Sequence, residues 1–66
     1  MKLSEFTRLE CERFRLDCNF TPEERAVFNM RVRACSNVEI AMALGMSEST
    51  VTRRLKSIKK KIIKVI

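Results

Sequence analysis

Histidine, tryptophan and tyrosine are absent from the 66 residues, and glycine and proline occur once each. Without histidine, hydrolytic triads and imidazole acid–base schemes have no proton carrier. One glycine and one proline supply too little turn chemistry for a β-protein, whose hairpins draw on those residues. No apolar run approaches the ~18 residues of a membrane-crossing helix, so no membrane partner is expected. No secretory pattern opens the sequence. The three cysteines, Cys11, Cys18 and Cys35, include no C-x-x-C pair, and the lack of histidine leaves no zinc ligand set. Cys11 and Cys18 would stand ~10 Å apart along a helix, too far for a disulfide. All three are expected to be small buried hydrophobes in a reducing compartment, which points to the cytoplasm. No metal or cofactor is expected. A chain this short buries only roughly 60% of its unfolded surface, so one small domain over 1–66 is the ceiling and an enzyme pocket has little chain to build it.

What is present is a foldable balance, 45% apolar and 33% charged. Its charge is unevenly spread. Residues 1–48 hold seven bases and eight acids, whereas residues 49–66 hold seven bases and no acid. A neutral body with a basic terminal element has the electrostatic footprint of a polyanion binder. A solvated Lys-rich tail is the plainer alternative.

The apolar spacing predicts an all-α fold of four helices around one core. Over residues 2–18, Leu3, Phe6, Cys11, Phe14 and Cys18 share one broad face, and Leu9 and Leu16 form a second stripe. This extra N-terminal helix, within 1–19, therefore expects more than one neighbour. Thr21-Pro22-Glu23-Glu24 is a capping box with proline at the first helical position, starting a helix that runs to about Ala34. It should bury Val27, Met30 and either Phe28 or Ala34. Ser36-Asn37-Val38-Glu39 repeats the box and starts a short helix with Ile40, Ala41 and Leu44 inward, ended by Gly45. Ser47 can cap a last helix from Glu48. Its stripe of Val51, Leu55, Ile58, Ile62 and Val65 predicts about nineteen residues, or ~28 Å.

Two helices joined by a tight glycine turn, the second one basic, have the layout of a helix-turn-helix, here within a DNA-binding unit over 20–66. Ala41 is small where the helices cross, and Val51 plugs the gap beneath the second helix. Successive 100° steps put Ser49, Arg53, Lys56 and Lys60 opposite the apolar stripe, with Thr52 and Ser57 flanking. These side chains can donate to base edges and phosphates of double-stranded DNA.

The run Ser36-Asn37-x-Glu39-Ile40-Ala41-x-x-Leu44-Gly45-x-Ser47-x-x-Thr50-Val51, within residues 20–62, resembles the LuxR/GerE-type DNA-binding domain. The promoter-reading C-terminal domain of sigma factors shares much of the pattern. The resemblance implies a transcription regulator whose last helix enters the major groove. It implies base contacts from Thr52, Arg53 and Lys56, and phosphate contacts from Thr50, Arg54 and Lys60. Ala34 stands where the family usually has glycine, so a different turn is expected there. Thr52 stands where a base-reading lysine is common. The family's usual fourth helix has no counterpart, and neither do its sensor or receiver domains, so the expectation is a protein acting alone or with a separate partner.

Three functions remain in view. The leading one is a stand-alone, sequence-specific regulator on duplex DNA. The others are a sigma-like promoter-recognition module contacting RNA polymerase and a helical protein-interaction domain. Small readers of this kind tend to pair. A homodimer is therefore expected, with its seam at Ile63 and Ile66 or at Leu9 and Leu16.

Overall fold

Every α-helix of this chain starts on a hydroxyl side chain that takes up an unpaired backbone N–H. A computed structural model describes residues 1–66. After a 3₁₀ turn, Leu3–Glu5, it contains α1 (Arg8–Asp17), α2 (Pro22–Val32), α3 (Asn37–Leu44) and α4 (Glu48–Ile63), and no strand. Thr7, Thr21 and Ser36 each form a complete capping box, with Glu10, Glu24 and Glu39 reaching back to the cap's own N–H. Two otherwise unpaired donors are satisfied at each start. Ser47 accepts from the Thr50 N–H at 3.1 Å.

The N-terminal segment differs from the single helix expected over 2–18. Phe6 and Thr7 are both extended, and they separate the 3₁₀ turn from α1. The cause is local and lies in Thr7-Arg8-Leu9-Glu10, a further S/T-x-x-E box. Thr7 N–H donates to Glu10 Oε1 at 2.8 Å, and Glu10 N–H donates to Thr7 Oγ1 at 3.2 Å. Restarting the helix there satisfies donors that would otherwise be left open. The break also lets Phe6 swing onto Phe14, ring edge to face, with centroids 4.8 Å apart.

Helices α2 and α3 end by the same closure. Cys35 N–H reaches the Met30 carbonyl at 3.2 Å, and Met46 N–H reaches that of Ala41 at 3.0 Å. Each closure needs one left-handed residue. These are Ala34 and Gly45, both at φ 65°. Ala34 thus adopts at its turn the same left-handed conformation that Gly45 takes after α3. The 6→1 closure holds it there at a cost of about 1 kcal/mol. Helix α2 thus stops at Val32 rather than Ala34, and Ala34 is exposed while Phe28 is fully buried.

One hydrophobic cluster draws on every element: Leu3 from the turn, Cys11 and Phe14 from α1, Val27 and Phe28 from α2, Ile40 and Ala41 from α3, and Val51, Leu55, Ile58 and Ile62 from α4. Helices α2 and α3 both pack on α4, so α4 is the spine of the fold. Four of its five expected stripe residues are buried. Val65 is the exception, because α4 ends at Ile63 after 16 residues and Val65 lies beyond it, half exposed. Cys11 and Cys18 are buried as expected, while Cys35 is only half-buried. The Leu9–Leu16 stripe finds no neighbour in the chain, with those residues 75% and 84% exposed. No helix is long and apolar enough to cross a membrane.

Candidate nucleic-acid interface

Because α4 is buried along one stripe, its opposite side is presented to solvent over its whole length. Gly45, Met46 and Ser47 form the turn that joins it to α3. Ser49, Thr52, Arg53, Lys56 and Lys60 are all exposed on that outward side. From Ser49 onward the helix carries bases and no acid. Its only carboxylate is Glu48, in the first turn, where it complements the helix dipole. Helix α4 is therefore a cationic rod, hydrophobic beneath and hydrogen-bonding above, which suits it to line phosphates and base edges.

The remaining expected site residues divide differently. Thr50 is half-buried at the helix start, where its Oγ1 lies 3.0 Å from Ser47 Oγ and accepts from Arg53 at 3.3 Å. That bond steadies the guanidinium of Arg53 at the outward edge. Arg54 turns toward α2 and forms an ion pair with Glu23. Ser57 turns further inward, donating to Glu24 Oε2 at 2.5 Å. Sequence reasoning placed Ser57 among the DNA-facing donors, and the structure places its hydroxyl in the α2–α4 joint. Helical periodicity puts it on a flank, and the buried carboxylate across the joint decides which way it turns.

Glu24 is the centre of that joint. It is 4% exposed, and three donors converge on its two carboxylate oxygens. Thr21 N–H donates to Oε1 at 2.9 Å, Lys61 Nζ to Oε1 at 2.5 Å, and Ser57 to Oε2. The Glu24 N–H in turn donates to Thr21 Oγ1 at 3.1 Å. Burial by itself raises this carboxyl, but the hydrogen bonds from Lys61, Ser57 and Thr21 outweigh it and hold the carboxyl at about 2. Lys61 also donates to the Asn19 carbonyl at 2.8 Å, tying the α1–α2 link to the same point. Sequence reasoning assigned Lys61 no role beyond the basic tail. No local signal marks it, since its partners lie 37 and 42 positions away.

Two further contacts fix the frame. Arg31 donates to the Cys35 carbonyl at 2.9 Å and to Asn37 Oδ1 at 3.3 Å, bracing the link between α2 and α3. In α3 the Glu39 carboxyl is held low by hydrogen bonds to the backbone and side chain of Ser36. Burial pushes the Cys11 and Cys18 thiols up, so both stay protonated and packed rather than reactive. No group of three or more His, Cys, Asp or Glu side chains is placed to hold a metal ion.

Comparison with known proteins gives one match. The family described as sigma-70, region 4, matches residues 21–62. That span runs from the cap of α2 to the last buried residue of α4, so it holds the whole helix-turn-helix and its brace and leaves out α1. No curated protein and no solved structure matches the chain. Of the two families that the Ser36–Val51 run resembles, the match falls on the sigma-factor side.

Proposed function

The chain belongs to the sigma-70 region 4 family, a helix-turn-helix DNA-binding region, and from that premise we propose that it is a non-enzymatic transcription regulator that sets α4 in the major groove of duplex DNA. The observation that carries this reading is the acid-free outward row Ser49, Thr52, Arg53, Lys56 and Lys60 on the helix that follows the turn. Arg53 lies in the first half of α4 and Lys56 at its middle, and the N-terminal part of a recognition helix is where it meets base edges. Arg53 has the fork that guanine O6 and N7 accept. Thr52 and Ser49 are short donors beside it. Lys60 lies a turn further on, also exposed, and its ammonium suits a phosphate contact made on charge alone. The work takes place in the cytoplasm, where the DNA of a sigma-type reader lies.

Selection of bound sites from random duplexes, followed by salt titration, tests the proposal. A recovered consensus, with affinity that falls linearly in the logarithm of salt concentration, is the expected result. A protein that binds acidic polypeptides as well as it binds duplexes, and selects no sequence, would instead be a helical interaction domain.

A second reading is favoured by the family match itself. In it the chain is a sigma-like promoter-recognition module that also touches RNA polymerase. The finer form of the first reading, a stand-alone regulator of LuxR/GerE type, rests on the Ser36–Val51 run, whereas the match supports only the DNA-binding helix-turn-helix. Retention of polymerase core by the immobilised chain separates the two.

A further inference from the structure

Of the six bases of α4, Lys59 neither faces outward with Arg53, Lys56 and Lys60 nor turns toward α2 with Arg54 and Lys61. Successive 100° steps put it ~60° round the helix from Lys56, on the flank opposite Arg54 and Lys61. It is half-buried there, where it lines a cavity of about 370 Å³.

Two more bases line the same cavity, and each comes from a different element. Lys2 is the residue that precedes the 3₁₀ turn, and Arg31 lies in the last turn of α2. No carboxylate joins them, since Glu5, the one acid of the 3₁₀ turn, does not line the cavity. None of the three bases forms an ion pair. Arg31 is fixed by two neutral acceptors, the Cys35 carbonyl and Asn37 Oδ1, so its guanidinium is held in place with its charge uncancelled. Ser4 adds an exposed hydroxyl to the lining. Like charges collected in this way repel one another, and an anion between them relieves the repulsion. The lining also says which anion. It contains no aromatic ring, so there is no face on which a nucleobase could stack. Ammonium, guanidinium and hydroxyl groups are the donors that phosphate oxygens accept from.

We propose that Lys2, Arg31 and Lys59 form a second anchor on duplex DNA, taking phosphates of the strand that runs beside the outward row of α4. The anchor rests on duplex binding by α4 and extends it. Lys56 and Lys59 stand three positions apart, ~4.5 Å along the axis, so positive charge is continuous from the outward row to the cavity. A recognition helix in the major groove lies between two sugar–phosphate strands, and this flank meets one of them. On the other flank Arg54 and Lys61 are already paired with Glu23 and Glu24, so uncancelled charge lies on one side only. Phosphate contacts carry no base information. This one sets the register in which Arg53 and Lys56 are offered to base edges. Lys2 lies outside residues 21–62, the span that matches the family, so part of the anchor comes from this chain's own N-terminal segment.

Salt titration of duplex binding tests the anchor. Lys2→Gln and Lys59→Gln should each lower the salt slope by about one, and the double variant by about two. All duplexes should weaken alike, and the consensus selected from random duplexes should match that of wild type. Lys2 is exposed, so Lys2→Gln should melt like wild type and carries the test even where Lys59→Gln is less stable. A wild-type slope in Lys2→Gln and in the double variant, beside a lowered slope in Lys60→Ala, would overturn the anchor and leave the DNA reading standing. A wild-type chain without salt-dependent duplex binding would overturn both. Inorganic phosphate, set against chloride at equal ionic strength, is the second probe. Thermal protection by phosphate that the double variant loses, with the duplex slope unchanged, would overturn DNA as the occupant and make the cavity a site for a free phosphorylated ligand.

Discussion

Five of the six bases of α4 fall into two rows with the same chemistry and different occupations. Arg54 and Lys61 turn toward α2, where they pair with Glu23 and Glu24. Arg53, Lys56 and Lys60 turn away and form no ion pair with the rest of the chain. In the sequence both rows belong to one run of positive charge. The difference teaches that positive charge on a helix identifies a polyanion surface only after its internal partners have been subtracted. Helix α2 supplies those partners from its first turn, where acids are also favoured by the helix dipole. One pair of glutamates therefore serves the start of α2 and fixes the angle at which α4 is held.

Removing Glu24 should break this division most severely. Glu24→Ala strips an acceptor from Lys61, Ser57 and the Thr21 N–H at once, and a loss of about 3 kcal/mol in chemical denaturation is expected. A smaller loss is expected for Glu24→Gln, which keeps the capping geometry. A full-stability Glu24→Ala chain would mean that the inner row does not hold α4.

The same group sets an acid limit. Its folded carboxyl sits at about 2 against an ordinary 4.5, so ionised Glu24 stabilises the fold at and above the higher value. That contribution should disappear as pH falls from 4.5 toward 2, because the unfolded chain takes up the proton first. Stability measured against pH should fall through this window in wild type and fall less steeply in Glu24→Gln.

On the outer row, Arg53→Ala should leave melting unchanged and cost about 1–3 kcal/mol on the preferred duplex, with relaxed preference at one base pair. Arg54→Ala should do the reverse on a smaller scale. Its half-exposed pair is worth at most about 1 kcal/mol of stability, and base preference should stay as it was. A shift in preference at Arg54 equal to that at Arg53 would erase the distinction between the rows. The smallest effect belongs to Lys60→Ala. It should weaken all duplexes alike and lower the salt slope by about one.

Much of this was legible in the chain because helix starts are local events. The boxes at Thr21 and Ser36 lie within four residues, so their hydrogen bonds are implied by spacing alone. The box at Thr7 carries the same signal, yet the apolar face running through Phe6 suggests an unbroken helix. Local capping won over periodicity there. Helix ends were less legible. Ala34 takes a left-handed conformation because Cys35 N–H closes back on Met30, a bond that alanine's own preferences do not announce. At the far end, the stripe continues through Val65, but α4 stops at Ile63 and leaves Val65 half exposed.

For the candidate interface, the sequence by itself determined where the basic helix starts, the first four residues of its buried stripe and the outward placement of Arg53, Lys56 and Lys60. All of these follow from 3.6-residue periodicity and a single turn. Only the tertiary structure decided that Arg54, Ser57 and Lys61 face inward, since their partners on α2 and at Asn19 lie 31 to 42 positions away. Tertiary packing likewise left Leu9 and Leu16 uncovered and brought Ile66 beside α1. The physical reason is the same in each case. Periodicity fixes which side of a helix a residue occupies, and the choice between solvent and a distant carboxylate depends on what the folded chain brings across from it.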